Sequence, residues 1–225
     1  MRLHSKNSKM AAGLAAAVLL GLPLAGCGSD DTAAADEPSS NSATPEPVAE
    51  VEALSGESTA VALDAGFVEA LESLKLTPGV VGGAELTKKG SLVFPISGGD
   101  VTYYEPGSID PYVQGMIEHD GSGFSLTAGK TTVKLTDFTV DPGTSQLFGD
   151  VAVNGKSAAK DAFLFALDGR TLKPLQTGSG DTAILEGTKV KISEDAAPLL
   201  NDTFGTDAIK PGLLVGIATI TINTK

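Results

Sequence analysis

Short segments of alternating polar and apolar residues, closed by glycine turns, limit this chain's fold more than any other feature. Leu92, Phe94 and Ile96 alternate through residues 91–97, the two-faced pattern of a strand. A second segment, 101–104, follows Gly98-Gly99. Segments 113–118 and 123–127 flank Asp120-Gly121, a pair that predicts a hairpin turn. Val133, Leu135 and Phe138 mark 131–140, and Asp141-Pro142-Gly143 turns the chain into 146–153. Asn154-Gly155 and Asp168-Gly169 predict further hairpins, and Ala183-Ile184-Leu185 another strand. No segment reads as the crossover series of a parallel sheet. The expected fold class is mainly β (α+β): a curved antiparallel sheet, a barrel or a sandwich.

Two short helices interrupt the pattern, one toward each end of this β-rich body. After Val61-Ala62-Leu63, Asp64 is placed to cap a helix whose face carries Phe67, Val68, Leu71 and Leu74. Pro78-Gly79 then leads into Val80-Val81-Gly82-Gly83-Ala84-Glu85-Leu86-Thr87. The arrangement returns at 190–221. Val190-Lys191-Ile192 precedes a helix through Leu199, Leu200 and Phe204, and Gly205 stops it. Pro198 must fall in the first turn, which favours Asp195 over Ser193 as the cap. Pro211-Gly212 then opens a final strand. Two strand–helix–strand units of this kind are expected side by side, with the middle of the chain inserted between them.

The N-terminus is a different kind of segment. Arg2, Lys6 and Lys9 precede a short apolar run over 10–22, and Leu24-Ala25-Gly26-Cys27 follows. The run is shorter than the roughly 20 residues that span a bilayer, and Pro23 interrupts it. These parts make a secretory signal. The tetrapeptide resembles a bacterial lipobox, which implies cleavage before Cys27, a lipid on its sulfur and anchoring at the extracytoplasmic face of the cell membrane. Cys27 is the only cysteine, so the body holds itself without an internal disulfide. Residues 28–58 carry eight acids, no Lys or Arg, and Pro38, Pro45 and Pro47. Such a stretch cannot bury enough apolar surface to offset ordering, so 27–58 reads as a disordered acidic tether and 59–225 as a single domain. The net charge of −12 disfavours nucleic acid as a partner.

Chemistry-bearing motifs are scarce. The sequence has no G-x-S-x-G, C-x-x-C, H-E-x-x-H, phosphate-binding or EF-hand loop. No catalytic residues and no metal site are expected, and an enzyme is not. Removal of the signal leaves one histidine, His119, in Gly115-Met116-Ile117-Glu118-His119-Asp120-Gly121. Tyr103, Tyr104 and Tyr112 come shortly before it. Two readings fit: a surface turn histidine beside two acids, or a wall of a His/Tyr-lined pocket.

Phe94-Pro95-Ile96-Ser97-Gly98-Gly99, the segment around His119, Phe124-Ser125-Leu126-Thr127-Ala128-Gly129, 133–141 and 204–208 together resemble a group of exported actinobacterial proteins. More distantly, the middle of the chain resembles Htaa-domain haem-acquisition proteins, with His119 at the place of a histidine near a Gly-rich turn. That resemblance implies haem as a ligand. The family's haem-ligating tyrosine lies in an N-terminal segment, and Phe67-Val68-Glu69-Ala70-Leu71 offers no tyrosine there. The expected function is a cell-envelope lipoprotein with a binding domain for a small ligand, haem being the named candidate and no resident cofactor required. A carrier of lipid or another apolar ligand predicts a hollow interior. A structural or adhesive envelope protein predicts a filled core and an exposed patch.

Overall fold

A computed structural model describes residues 45–225, so the signal segment and Cys27 lie outside the described residues. The chain forms β1 (Ala49–Val51), β2 (Glu57–Leu63), α1 (Ala65–Ser73), β3 (Thr77–Gly82), β4 (Glu85–Leu86), β5 (Ser91–Pro95) and β6 (Gly98–Tyr103). It continues through β7 (Val113–Ala128), β8 (Thr131–Asp141), β9 (Gln146–Val153), β10 (Lys156–Asp168) and β11 (Gln176–Thr177). The last elements are β12 (Thr182–Ile192), α2 (Ala196–Phe204) and β13 (Leu214–Asn223). All pairings between these strands are antiparallel, in the order β1-β6-β7-β8-β9-β10-β12-β13-β2-β5-β4, with β3 added to β7 and β11 to β12. The protein is mainly β, as its alternation implies.

The sheet curls on itself because its ends are one ribbon. β1 and β2 run antiparallel to β6 and β5, and the gap between them is bridged by Leu54 N–H to Gly99 O (2.8 Å) and Ile96 N–H to Glu57 O (3.0 Å). β2 then pairs with β13, and β6 with β7. Ordered structure therefore begins before the expected boundary at residue 59. β1 belongs to the sheet and Leu54 is buried, so the tether reading fails over 49–58. The acids there sit outside while Val51 and Leu54 pack inward.

Both helices cover one end of the curl. Asp64 caps α1, its carboxylate accepting from Gly66 N–H at 2.9 Å, and Phe67 and Leu71 are buried while Val68 is exposed. In α2 the expected cap is corrected. Asp195 makes no side-chain capping bond, and the Ser193 hydroxyl accepts from Ala196 N–H (2.9 Å) while donating to Phe163 O (2.6 Å). Serine wins because it is buried against β10, where one hydroxyl satisfies two backbone groups. Gly205 ends α2 in the left-handed conformation its φ of 65° requires.

The two strand–helix–strand units do meet, through β2 and β13, from Leu63↔Gly216 to Glu57↔Ile222. Beyond the helices they diverge. β13 returns beside β12, whereas β3 crosses to β7 because β5 already occupies the far side of β2. Pro78-Gly79 accordingly lies within β3 rather than in a turn, on a strand with one hydrogen-bonded neighbour.

Two turn expectations are also corrected. Asn154-Gly155 does form the β9–β10 hairpin, both residues at positive φ. Asp168-Gly169 instead opens a 3₁₀ turn, Gly169–Thr171, with Asp168 accepting from Arg170 N–H. Asp120-Gly121 is not a hairpin, because segments 113–118 and 123–127 are one strand, β7. Each half already has neighbours on both sides, β6 and β8 for the first, β3 and β8 for the second.

Candidate functional site

The turn signal in β7 is spent on a bulge, and that bulge builds the site. Pairing with β8 lapses between His119 and Gly123, where Gly121 N–H donates to the Asp137 carboxylate at 2.8 Å and Ser122 Oγ–H to His119 O at 3.0 Å. Asp137 and Gly121 both take positive φ, so the two strands kink together. Before the bulge the inward residues are Val113, Ile117 and His119, and after it they are Phe124 and Leu126. The parity of the strand has switched, and His119 is the last residue of the first phase.

His119 is thereby buried to 1% exposure rather than set on the surface. Its Nδ1 lies 3.3 Å from Phe138 O and its Nε2 2.8 Å from Thr59 Oγ1. A carbonyl only accepts, so Nδ1 carries the proton and Nε2 accepts from the Thr59 hydroxyl. Burial, opposed in part by backbone hydrogen bonds, pushes the imidazole pKa down to about 4, so the ring is neutral at ordinary pH. Phe94 meets its edge at 6.4 Å and also packs against Phe138 at 5.3 Å, perpendicular in both cases. Sequence reasoning places Thr59 at the first position of the domain and gives it no role at the site. Its place in the alternation Thr59, Val61, Leu63 is the signal that puts it on an inner face.

Above these groups the curl is hollow. A cavity of about 350 Å³ runs from the His119–Thr59 pair toward the end away from the helices. Val140, Leu147, Leu167, Ala183 and Ile220 form its apolar walls. Its rim is set by strand ends and loops: Glu50, Tyr112, Pro142, Ser145, Arg170 and Thr224. The volume falls in the range of roughly 300–1,000 Å³ typical of small-ligand pockets.

The three tyrosines separate. Tyr103 at the end of β6 and Tyr112 just before β7 line the cavity, their rings perpendicular at 5.7 Å. Burial and the neighbouring Tyr103 raise the Tyr112 pKa, which disfavours a phenolate there. Tyr104 does not line the cavity; it is held in the loop by its backbone N–H to Tyr112 O at 2.7 Å. Arg170 is committed to Asp168, with Nε and a terminal nitrogen at 2.8 and 2.7 Å, and Lys191 adds a third contact at 2.8 Å. These cations hold the Asp168 carboxyl well below the usual carboxylate range. Among the described residues no group of three or more His, Cys, Asp or Glu side chains is placed to hold a metal ion.

No protein-family model matches the chain, and no curated protein matches it by sequence. Solved structures from Corynebacterium glutamicum do match. The C-terminal domain of HtaA aligns at a TM-score of 0.53 and 14% identity, over 76% of this chain and 98% of that one. The heme-binding protein HtaB aligns at 0.49 and 12%, over 78% and 96%. The N-terminal domain of HtaA aligns at 0.45 and 13%, over 76% and 98%. The first of these shows that the chain shares the fold of an HtaA domain.

Proposed function

We propose that the curled sheet is a receptor for a small apolar ligand, with haem as first candidate, on a chain tied to the outer face of the cell membrane by lipid on Cys27. The observation that carries the binding role is the apolar-walled cavity ending on a single buried, neutral imidazole. A neutral imidazole is a common protein ligand of haem iron, and His119 Nε2 is the nitrogen with the lone pair. Phe94 and Phe138 supply aromatic surface beside it. The residues fit haem through one ligand, provided Thr59 gives up its hydrogen bond. The sequence resemblance to Htaa-domain haem-acquisition proteins supports the same choice, and the HtaA-domain fold is compatible with it.

Titration of the signal-less protein with hemin tests the reading. A Soret shift that saturates at one equivalent and weakens in His119→Ala is expected. Hemin that stays free of the wild-type protein, or binds unchanged in the variant, would overturn it. For the anchor, Cys27→Ser should move the protein from the membrane fraction to the soluble fraction.

A second reading has its own observation. Thr59 already satisfies Nε2, and the walls are otherwise apolar, which suits a lipid or another metal-free ligand. Native mass spectrometry of protein purified from its own host separates the two by the mass of what is carried. The hollow interior favours either ligand over the structural or adhesive role, which expected a filled core.

A further inference from the structure

Resting on the reading of the interior as a ligand site, we propose that Thr59 is a specificity residue. Its hydroxyl masks the metal-binding nitrogen of His119 and sets a cost on metal ligation that a metal-free ligand does not meet. The contacts of the two ring nitrogens with Phe138 O and the Thr59 hydroxyl point one way. Phe138 O can only accept, so Nδ1 must donate to it, at 3.3 Å. That leaves Nε2 as an acceptor, and the Thr59 hydroxyl, 2.8 Å away, as its donor.

The lock is hard to slip. Thr59 sits inside β2, paired with Phe94 of β5 on one side and Ile220 of β13 on the other, so its backbone is fixed. Only rotation about its side-chain bond frees Nε2. That rotation turns the hydroxyl of a buried residue, Thr59 at 6% exposure, away from its acceptor within a cavity that Val61, Phe94 and Phe138 also line. A ligand that needs Nε2 must supply this cost, and one that merely fills the apolar space does not. Thr59 therefore separates a metalloporphyrin from the same porphyrin without its metal, although both present nearly the same surface.

Two probes and two variants test this. Hemin affinity is read by Soret absorbance and metal-free protoporphyrin IX affinity by fluorescence, in wild type, Thr59→Val and Thr59→Ser. Valine keeps the shape and removes the donor; serine keeps the donor. Thr59→Val should tighten hemin binding at least about fivefold, the lower bound for an unmade buried hydrogen bond. It should leave protoporphyrin IX unchanged and strengthen the low-spin imidazole bands, while Thr59→Ser stays near wild type. Equal effects on both porphyrins, or hemin binding unchanged in valine, would overturn the role of Thr59 while leaving the haem reading intact. No binding of either porphyrin to any of the three proteins overturns both. Long-range nitrogen-15 spectra of His119 give an independent check: a proton on Nε2 rather than Nδ1 refutes the masking whatever the porphyrins do.

Discussion

The buried imidazole makes stability depend on pH in a window that belongs to it alone. Unfolded, His119 titrates near pH 6.5, and folded, it resists protonation until about pH 4. Between these values the unfolded chain binds the extra proton, so the contribution of the neutral imidazole is full above about pH 6.5, declines as pH falls, and is gone by about pH 4. A shift of this size corresponds to about 3 kcal/mol in total, of which about 2.5 kcal/mol is expressed between about pH 7.5 and 4.5. Asp168 and Asp150 are held low by Arg170, Lys191 and Lys160, and their contributions fade only at more acid pH, through the carboxylate range. Urea unfolding of the signal-less protein at the two pH values reads the difference directly. His119→Gln, which cannot titrate, should lose most of that pH dependence while starting from a lower stability. Equal losses in wild type and variant would refute the account, because the proton would then be going somewhere else.

Three further outcomes follow from the packing. Ser193→Ala removes both the α2 cap and the bond to Phe163 O, and should cost about 1–3 kcal/mol in urea unfolding. Gly123→Ala places a Cβ against Leu135 O and Thr136 just beyond the bulge, with backbone on the far side that cannot yield, and should destabilise by roughly 3 kcal/mol or more. Ala183→Phe fills the cavity from β12 and should abolish uptake of any ligand while the thermal midpoint stays near wild type or rises.

Local chemistry made a good part of this molecule legible. The alternation through Leu92, Phe94 and Ile96, the asparagine–glycine turn at Asn154 and the aspartate cap at Asp64 each act over a few residues, and each appears where its own physics puts it. Misreadings arise where a distant partner decides. Ser193 outcompetes Asp195 because β10 lies beside it, and the acidic stretch at 49–58 is ordered because β6 and β5 offer it a ladder. The instructive case is Asp120-Gly121. Its residues carry a turn's conformational freedom, and Gly121 does use it at φ 68°. Whether such freedom makes a hairpin or a bulge depends on whether the flanking strands have room to pair with each other. In β7 they do not, since β8 runs along both halves and β6 and β3 take the other side. The same two residues therefore shift the strand's inner face by one position, so that His119 before the bulge and Phe124 beyond it both face the interior, with His119 against Thr59. The pocket thus depends on a turn signal denied its turn. Lengthening β7 by one residue between Asp120 and Ser122 should invert the facing of the rest of that strand, turn Phe124 and Leu126 out of the core and strongly destabilise the fold.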